Sequence, residues 1–156
     1  MAVRNSSSKA FCSYAMSEGW AHYTEEMMWK AGAAGDDPKA HIGQLKNALL
    51  RNVRYVVSLG LHTGDLSVPA AAKMFRDKAF QDEGNAMQQA VRGTLDPGYL
   101  NYTLGKLMIM KLYDDWKKAH PGGTLGQFHN DFLSYQCAPI PTIRRMMLGE
   151  EAGPAL

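Results

Sequence analysis

The sequence predicts an all-α protein, a single domain of six or seven helices. Apolar residues recur at helical spacing, and no segment alternates convincingly with a period of two residues. N-cap residues together with proline and glycine clusters divide the chain into segments of helical length. The 156 residues fit one domain. We expect this domain to span residues 1–148 and to be followed by a flexible tail, 149–156.

Each predicted helix has start and stop signals of its own. Asp37 as N-cap before Pro38 opens the second helix, and Thr124 with Gln127 forms a capping box for the sixth. Clusters of glycine and proline interrupt helices at 32–35, 93–98 and 120–123. The predicted helices cover about residues 9–31, 38–61, 68–78, 82–92, 99–119 and 124–135, with a short last helix opened by prolines 139 and 141.

Charge and hydropathy exclude several classes of protein. The net charge is +2, and lysine and arginine are scattered without a basic run, which argues against nucleic-acid binding. No run of 18 or more apolar residues exists, so we expect no membrane span. The first fifteen residues show no signal peptide, and the compartment stays open.

The two cysteines, Cys12 and Cys137, lie at opposite ends of the chain. Their separation in space does not follow from the sequence, and two cysteines make no disulfide framework. We therefore expect free thiols, with a single disulfide as the alternative.

Glu18 and His22 are the first candidates for chemistry. In the stretch SEGWAHYTEEMMW they stand four residues apart, so a helix places both on one face. Zinc binds such donors, but a catalytic site takes three protein ligands and this helix offers two. The spacing alone therefore favours a structural pair. No H-E-x-x-H, G-x-S-x-G, P-loop or G-x-G-x-x-G motif accompanies them.

Four blocks of sequence, taken together, carry a family resemblance. They are SEGWAHYTEEMMW with the pattern E-G-W-A-x-Y-x-E, RNVRYVVSLGLHTGDLSVPAAAKMF with an arginine and G-[IL]-H, RGTLDPGYLNYTLGKLMIMKL with Tyr-x-x-Gly-Lys, and FHNDFLSYQCAPIPTIRRMML with F-H-x-x-[FL]-L. In this order, over about residues 11–148, the blocks resemble the bacterial family called domain of unknown function 885.

The resemblance implies a zinc peptidase that cleaves peptides. The family is similar to neurolysin and thimet oligopeptidase, and this chain resembles the C-terminal half of such a helical metallopeptidase. In the family, an upstream H-E-x-x-x-x-H-type motif supplies two histidine ligands and the general-base glutamate; it is absent here. The family also has the pattern P-G-Q-A-x-x-Y. The corresponding segment of this chain, 97–102, is one residue shorter than that pattern. We therefore expect a C-terminal fragment or remnant that is inactive alone and binds no zinc tightly; relatives are often exported.

The resemblance assigns roles near the metal. Glu18 matches the third protein ligand of zinc, and His22, one turn further on, would orient the Glu18 carboxylate without binding the metal itself. His62 and Tyr102 resemble residues that face the cleft, where a neutral imidazole or a phenol can donate to an oxyanion. The alternatives are a cation at a helix C-terminus for His62 and a packed aromatic for Tyr102.

Three arginines are candidates for binding a carboxylate of the substrate. Arg54, Arg144 and Arg145 lie in the matching blocks, and the fork of a guanidinium fits a carboxylate. The alternative for Arg144 and Arg145 is a pair of solvated side chains on a short exposed helix.

A second function from a different class is a non-catalytic helical module that self-associates. Loss of the upstream half of a peptidase would bare apolar surface, and large bare patches drive association. The candidate residues for such a homo-oligomer are Trp20, Met27, Met28 and Trp29.

Overall fold

The computed structural model describes residues 12–35 and 37–156, and in this part of the chain it contains seven α-helices, one short 3-10 helix and no strand. The helices are α1 (Tyr14–Lys30), α2 (Pro38–Thr63), α3 (Val68–Ala79), α4 (Glu83–Gly93), α5 (Asn101–Ala119), α6 (Leu125–Ser134) and α7 (Ile140–Leu148), and the 3-10 helix is Pro97–Leu100. The predicted all-α fold is confirmed. None of the helices in the described ranges has both the length and the apolar character needed to cross a membrane.

Two of the predicted helix starts are confirmed by cap hydrogen bonds. The Asp37 side chain accepts from the backbone N–H of Lys39 at 2.9 Å, and Thr124 and Gln127 form the predicted capping box. Three boundaries differ from the prediction. Cys12 and Ser13 precede α1, although the predicted first helix included them. Helix α2 continues to Thr63, so that His62 lies in its last turn, and a 3-10 turn precedes α5. Residues 9–11 of the predicted first helix lie outside the described residues.

The described chain forms two compact units, and the boundaries between them fall inside α1 and α5. One unit comprises residues 12–23 and 104–156, and its core is aromatic and aliphatic. Phe128 lies at its centre, with ring centroids 5.7 Å from Trp116 and 5.8 Å from Phe132. The prediction of one domain over 1–148 with a flexible tail stays a prediction.

The other unit comprises residues 24–35 and 37–103. Its core is built from small and medium side chains of α2, α3 and α4: Val53, Val57, Ala71, Ala72, Phe75, Ala79, Ala86 and Ala90. The alanines on α3 and α4 let these short helices pack closely around Phe75, because alanine adds little side-chain bulk.

The expectation of free thiols is wrong. Cys12 and Cys137 form a disulfide, with Cα atoms 4.8 Å apart. The backbone N–H of Ser13 also donates to the carbonyl of Cys137 at 2.8 Å. The two cysteines are 125 residues apart in the sequence, and they are brought together only by tertiary packing. The disulfide therefore could not be predicted from the sequence.

Candidate functional site

Helix α1 carries the E-G-W-A-x-Y-x-E pattern and contacts α5 through glycine. An ideal Cβ atom on Gly19 would lie 2.5 Å from the Cα atom of Gly105, so only glycine fits here. Gly105 belongs to the Tyr-x-x-Gly-Lys block. These two glycines therefore allow the backbones of α1 and α5 to approach each other closely.

Trp20 and Tyr23 of the same pattern contact the F-H-x-x-[FL]-L block. The hydroxyl of Tyr23 lies 2.9 Å from Nε2 of His129. The Trp20 ring stacks on Phe132 at 5.6 Å and meets His129 edge-on at 5.2 Å between centroids. Burial lowers the pKa of His129, which favours a neutral ring whose Nε2 accepts from the Tyr23 hydroxyl.

Glu18 is half-buried on α1, and no side-chain hydrogen bond or ion pair joins its carboxylate to another described residue, including the ring of His22. His22 itself is buried, with 1% of its surface exposed. No group of three His, Cys, Asp or Glu side chains within the described ranges could hold a metal ion. The described residues alone therefore do not fit a zinc site, and Glu18 could serve only as one ligand among others. Its orientation by His22 stays a prediction.

Arg54 lies at the centre of a cation–aromatic cluster in the second unit. Its guanidinium carbon lies 5.0 Å from the ring centroid of Tyr99 and 5.8 Å from that of Tyr102. Nε donates to Oε1 of Gln89 at 3.0 Å, and the hydroxyl of Tyr99 donates to the same oxygen at 3.3 Å. Burial lowers the pKa of Arg54, although an arginine remains charged. Among the described residues, no carboxylate pairs with it.

Arg51, one turn earlier on α2, differs from Arg54 because it has a carboxylate partner. Its guanidinium carbon also lies over the Tyr102 ring, at 5.6 Å, but Nη1 and Nη2 both donate to the carboxylate of Glu25, the latter at 2.7 Å. Arg51 is thus saturated by a bidentate partner, whereas Arg54 is held by aromatic rings and an amide.

His62 lies apart from this cluster. It is exposed, and its Nδ1 donates to the carbonyl of Ser58 at 2.8 Å. It is two turns beyond Arg54, about 12 Å along the axis of α2. The structure therefore brings together two predicted site residues, Arg54 and Tyr102, and leaves His62 outside.

Arg144 and Arg145 differ in their surroundings. Arg144 is buried, so its interpretation as a solvated side chain is wrong. Its Nη2 donates to Asp115 at 2.7 Å, and Nε donates to the carbonyl of Ala152 at 3.1 Å. Arg145 is exposed. These contacts give Arg144 a structural role, and substrate binding by either arginine stays a prediction.

Residues 3–147 match the model of a family described as bacterial protein of unknown function, DUF885. The chain belongs to the DUF885 family. This DUF885 chain is similar, at 30% identity and a TM-score of 0.86, to a solved structure from Shewanella oneidensis described as "a putative lipoprotein of unknown function". The match covers 94% of this chain and 27% of that one, so this chain spans about a quarter of that protein's length. No curated protein matches the chain.

The sequence motifs of this DUF885 chain contact one another, and several of the contact residues were missed from the sequence. They are Gly105, His129, Arg51, Glu25 and Tyr99. All five lie within the quoted blocks. To predict these contacts, one would have to know which block packs against which, and a single sequence does not show this.

Proposed function

We propose that this chain is the part of a DUF885 zinc peptidase that supplies one metal ligand, Glu18, and a substrate-binding face formed by Arg54 and Tyr102. In this proposal the chain does not hydrolyse peptides alone, because two further ligands and a general base have to come from outside it. Zinc bound by the complete set would polarise the scissile carbonyl.

The observation that carries the proposal is that Arg54 is half-buried and pairs with no carboxylate among the described residues. A half-buried guanidinium has lost part of its hydration, and its aromatic neighbours and Gln89 offer no negative charge. Arg51, in the same surroundings, has a carboxylate of the chain itself. The missing counter-charge at Arg54 matches a carboxylate of a bound peptide, and Tyr102 beside it has a hydroxyl suited to hydrogen bonding.

Glu18 supports the metal part of the proposal. Its carboxylate is half-buried and forms no ion pair within the described ranges, although Glu25 and Glu26 on the same helix do. A carboxylate left uncommitted in a partly buried position is available to a cation supplied with its other ligands.

Peptide binding tests the role of Arg54. We expect an N-acetylated dipeptide with a free C-terminal carboxylate to bind more tightly than its amide, measured by NMR titration of the full chain. Arg54→Gln should weaken binding of the acid about tenfold, equal to about 1.4 kcal/mol, and leave the amide unaffected. The matched control is Arg76→Gln, an exposed arginine outside the cluster. Equal binding of acid and amide would contradict the proposal.

Metal analysis tests the role of Glu18 separately. After dialysis against a weak chelator we expect almost no zinc in the chain or in Glu18→Ala. Close to one zinc per chain, lost in Glu18→Ala, would show that the chain completes a site alone and would overturn its predicted inactivity.

The residues expected to drive self-association are partly covered. Trp29 stacks on His41 with ring centroids 4.1 Å apart, and Trp20 packs on Phe132. Met28 is 48% exposed. Homo-oligomer formation through this group stays a proposal, and light scattering of the concentrated chain tests it, since a monomer would count against it.

A further inference from the structure

Helix α2 carries a row of exposed apolar side chains. Five residues between 37% and 58% exposed form this row: Ile42, Leu45, Leu49, Val56 and Leu59. Val53 and Val57 lie beside this row on the same helix and are buried in the core. The apolar face of α2 therefore extends from the core onto the exposed surface, which is typical of a helix that packs against a partner.

The spacing of the row indicates what shape of partner fits it. Successive residues of the row are separated by three, four, seven and three residues. These intervals place them at the a and d positions of a heptad repeat. Asn52 occupies the remaining d position and is exposed. A seam of this kind is complementary to the side chains of another helix, which insert between its residues.

The charge of α2 indicates what kind of helix would bind to the row. The segment 38–63 contains four basic residues, Lys39, Lys46, Arg51 and Arg54, and no Asp or Glu. Lys39 and Lys46 are exposed and occupy the e positions beside the row. Two copies of α2 packed on each other would bring these lysines no carboxylate in either orientation. The surface is therefore complementary to a helix with acidic residues at its flanks.

The length of a relative indicates the source of that helix. This chain matches only 27% of the Shewanella oneidensis structure, although it does so with a TM-score of 0.86. Most of the longer protein thus lies outside the matched region and is available to cover it.

We propose that the α2 row binds an amphipathic helix with an apolar seam and acidic flanks, contributed by the portion of longer DUF885 proteins that this chain does not span. The row and its flanking lysines carry this proposal together with family membership, and it is independent of the peptidase proposal.

A synthetic peptide tests the chemistry. The probe has the length of α2, leucine at a and d, and glutamate at e and g, which keeps it from pairing with itself. We expect it to bind the full chain one to one in calorimetry, and about tenfold more tightly than the same peptide with lysine at e and g. Equal binding of the two peptides would overturn the predicted preference for acidic flanks.

Two surface variants locate the binding. Leu45→Glu combined with Val56→Glu should reduce binding of the acidic peptide at least about tenfold, because it places charge in the seam. Leu95→Glu is the matched control: Leu95 is 83% exposed and lies off the row. Helical circular dichroism verifies that each variant folds. Unchanged binding by the double variant would overturn the proposal.

Further measurements distinguish which partner covers the row. In the Shewanella oneidensis structure, the residues aligned with the row should be covered by a helix from the rest of that chain, and exposed positions there would contradict the proposal. Dimerisation of this chain that the double variant abolishes would assign the row to a second copy instead. Binding to phosphatidylglycerol vesicles without binding to the peptide would assign it to a membrane surface.

Discussion

Gly19 and Gly105 bring α1 and α5 into direct backbone contact. A Cβ atom on Gly105 would overlap the carbonyl oxygen of Ala15, and one on Gly19 would lie 2.5 Å from the Cα atom of Gly105. Neither obstacle is a flexible side chain that could move away, so the helices themselves would have to separate.

Gly105→Ala should therefore destabilise the protein by about 3 kcal/mol, at the upper end for an overpacked site. Urea unfolding followed by circular dichroism measures the loss. Gly126→Ala on α6 is the control, because no atom lies within 4 Å of its added Cβ. That substitution should stabilise by about 0.5–1 kcal/mol, since alanine favours the helix. A neutral Gly105→Ala would disprove the backbone contact.

Asp115 should make stability depend on acid pH. Lys111 at 2.5 Å, Arg144 at 2.7 Å and Lys118 at 3.1 Å hold the pKa of this carboxyl well below its usual range. A lowered pKa in the folded state stabilises the fold above the unfolded value of about 4. That contribution is lost as the pH falls through the folded value.

Asp115→Asn should lower stability at neutral pH by about 3 kcal/mol, because it leaves buried Arg144 without its ionic partner. Thermal unfolding between about pH 7 and pH 2 should then show a shallower acid decline than in the parent chain. Asp114→Asn is the control on the same helix, as Asp114 is exposed and has no ion pair among the described residues. An unchanged acid decline in Asp115→Asn would refute the ion-pair assignment.

His129 should make stability depend on pH near neutrality. Burial lowers its pKa, so the folded state binds fewer protons than the unfolded state. Stability is complete above the unfolded pKa of about 6.5 and decreases as the pH falls through the folded value.

Denaturant titrations at several pH values test this, with His129→Gln expected to remove the dependence. Tyr23→Phe should cost about 1 kcal/mol, because Nε2 of His129 loses its hydroxyl partner. His120→Gln, at an exposed histidine, should leave the pH dependence intact. If His120→Gln and His129→Gln gave the same profile, the pair of Tyr23 and His129 would not cause the pH dependence.

The disulfide between Cys12 and Cys137 should stabilise the fold substantially. It closes a loop with a sequence separation of 125 residues, and a loop of this size is worth about 5 kcal/mol in the chain-entropy model. Dithiothreitol should lower the unfolding midpoint of the parent chain and have no effect on a Cys12→Ser/Cys137→Ser variant. Two titratable thiols in the untreated, denatured chain would show that the bond is absent.

Local features of this fold could be predicted well from the sequence. The caps Asp37, Ser67 and Thr124 work through hydrogen bonds to backbone groups two or three residues away, so a short stretch contains all the information. Glycine and proline end helices for equally local reasons. The helix order followed from these signals, and boundaries shifted by only a few residues.

Long-range features could not be predicted in this way. Tyr23 and His129 stand 106 residues apart, and their contact exists only because α1 and α6 pack together. The burial of Arg144 also depends on a distant partner, Asp115. For the candidate site, the residue types at Arg54 and Tyr102 were recognisable, but their proximity and the position of His62 outside the cluster depend on tertiary packing.

The attachment of the last residues to Arg144 bears on how the protein can be produced. Because this guanidinium donates to the carbonyls of Ala152 and Gly153, a stop codon placed after Leu148 would leave its Nε without an acceptor, while Nη2 would keep Asp115. Any variant made for crystallisation therefore has to keep residues 149–156 in place. Removing them would lower the yield of folded material, because these carbonyls would be lost.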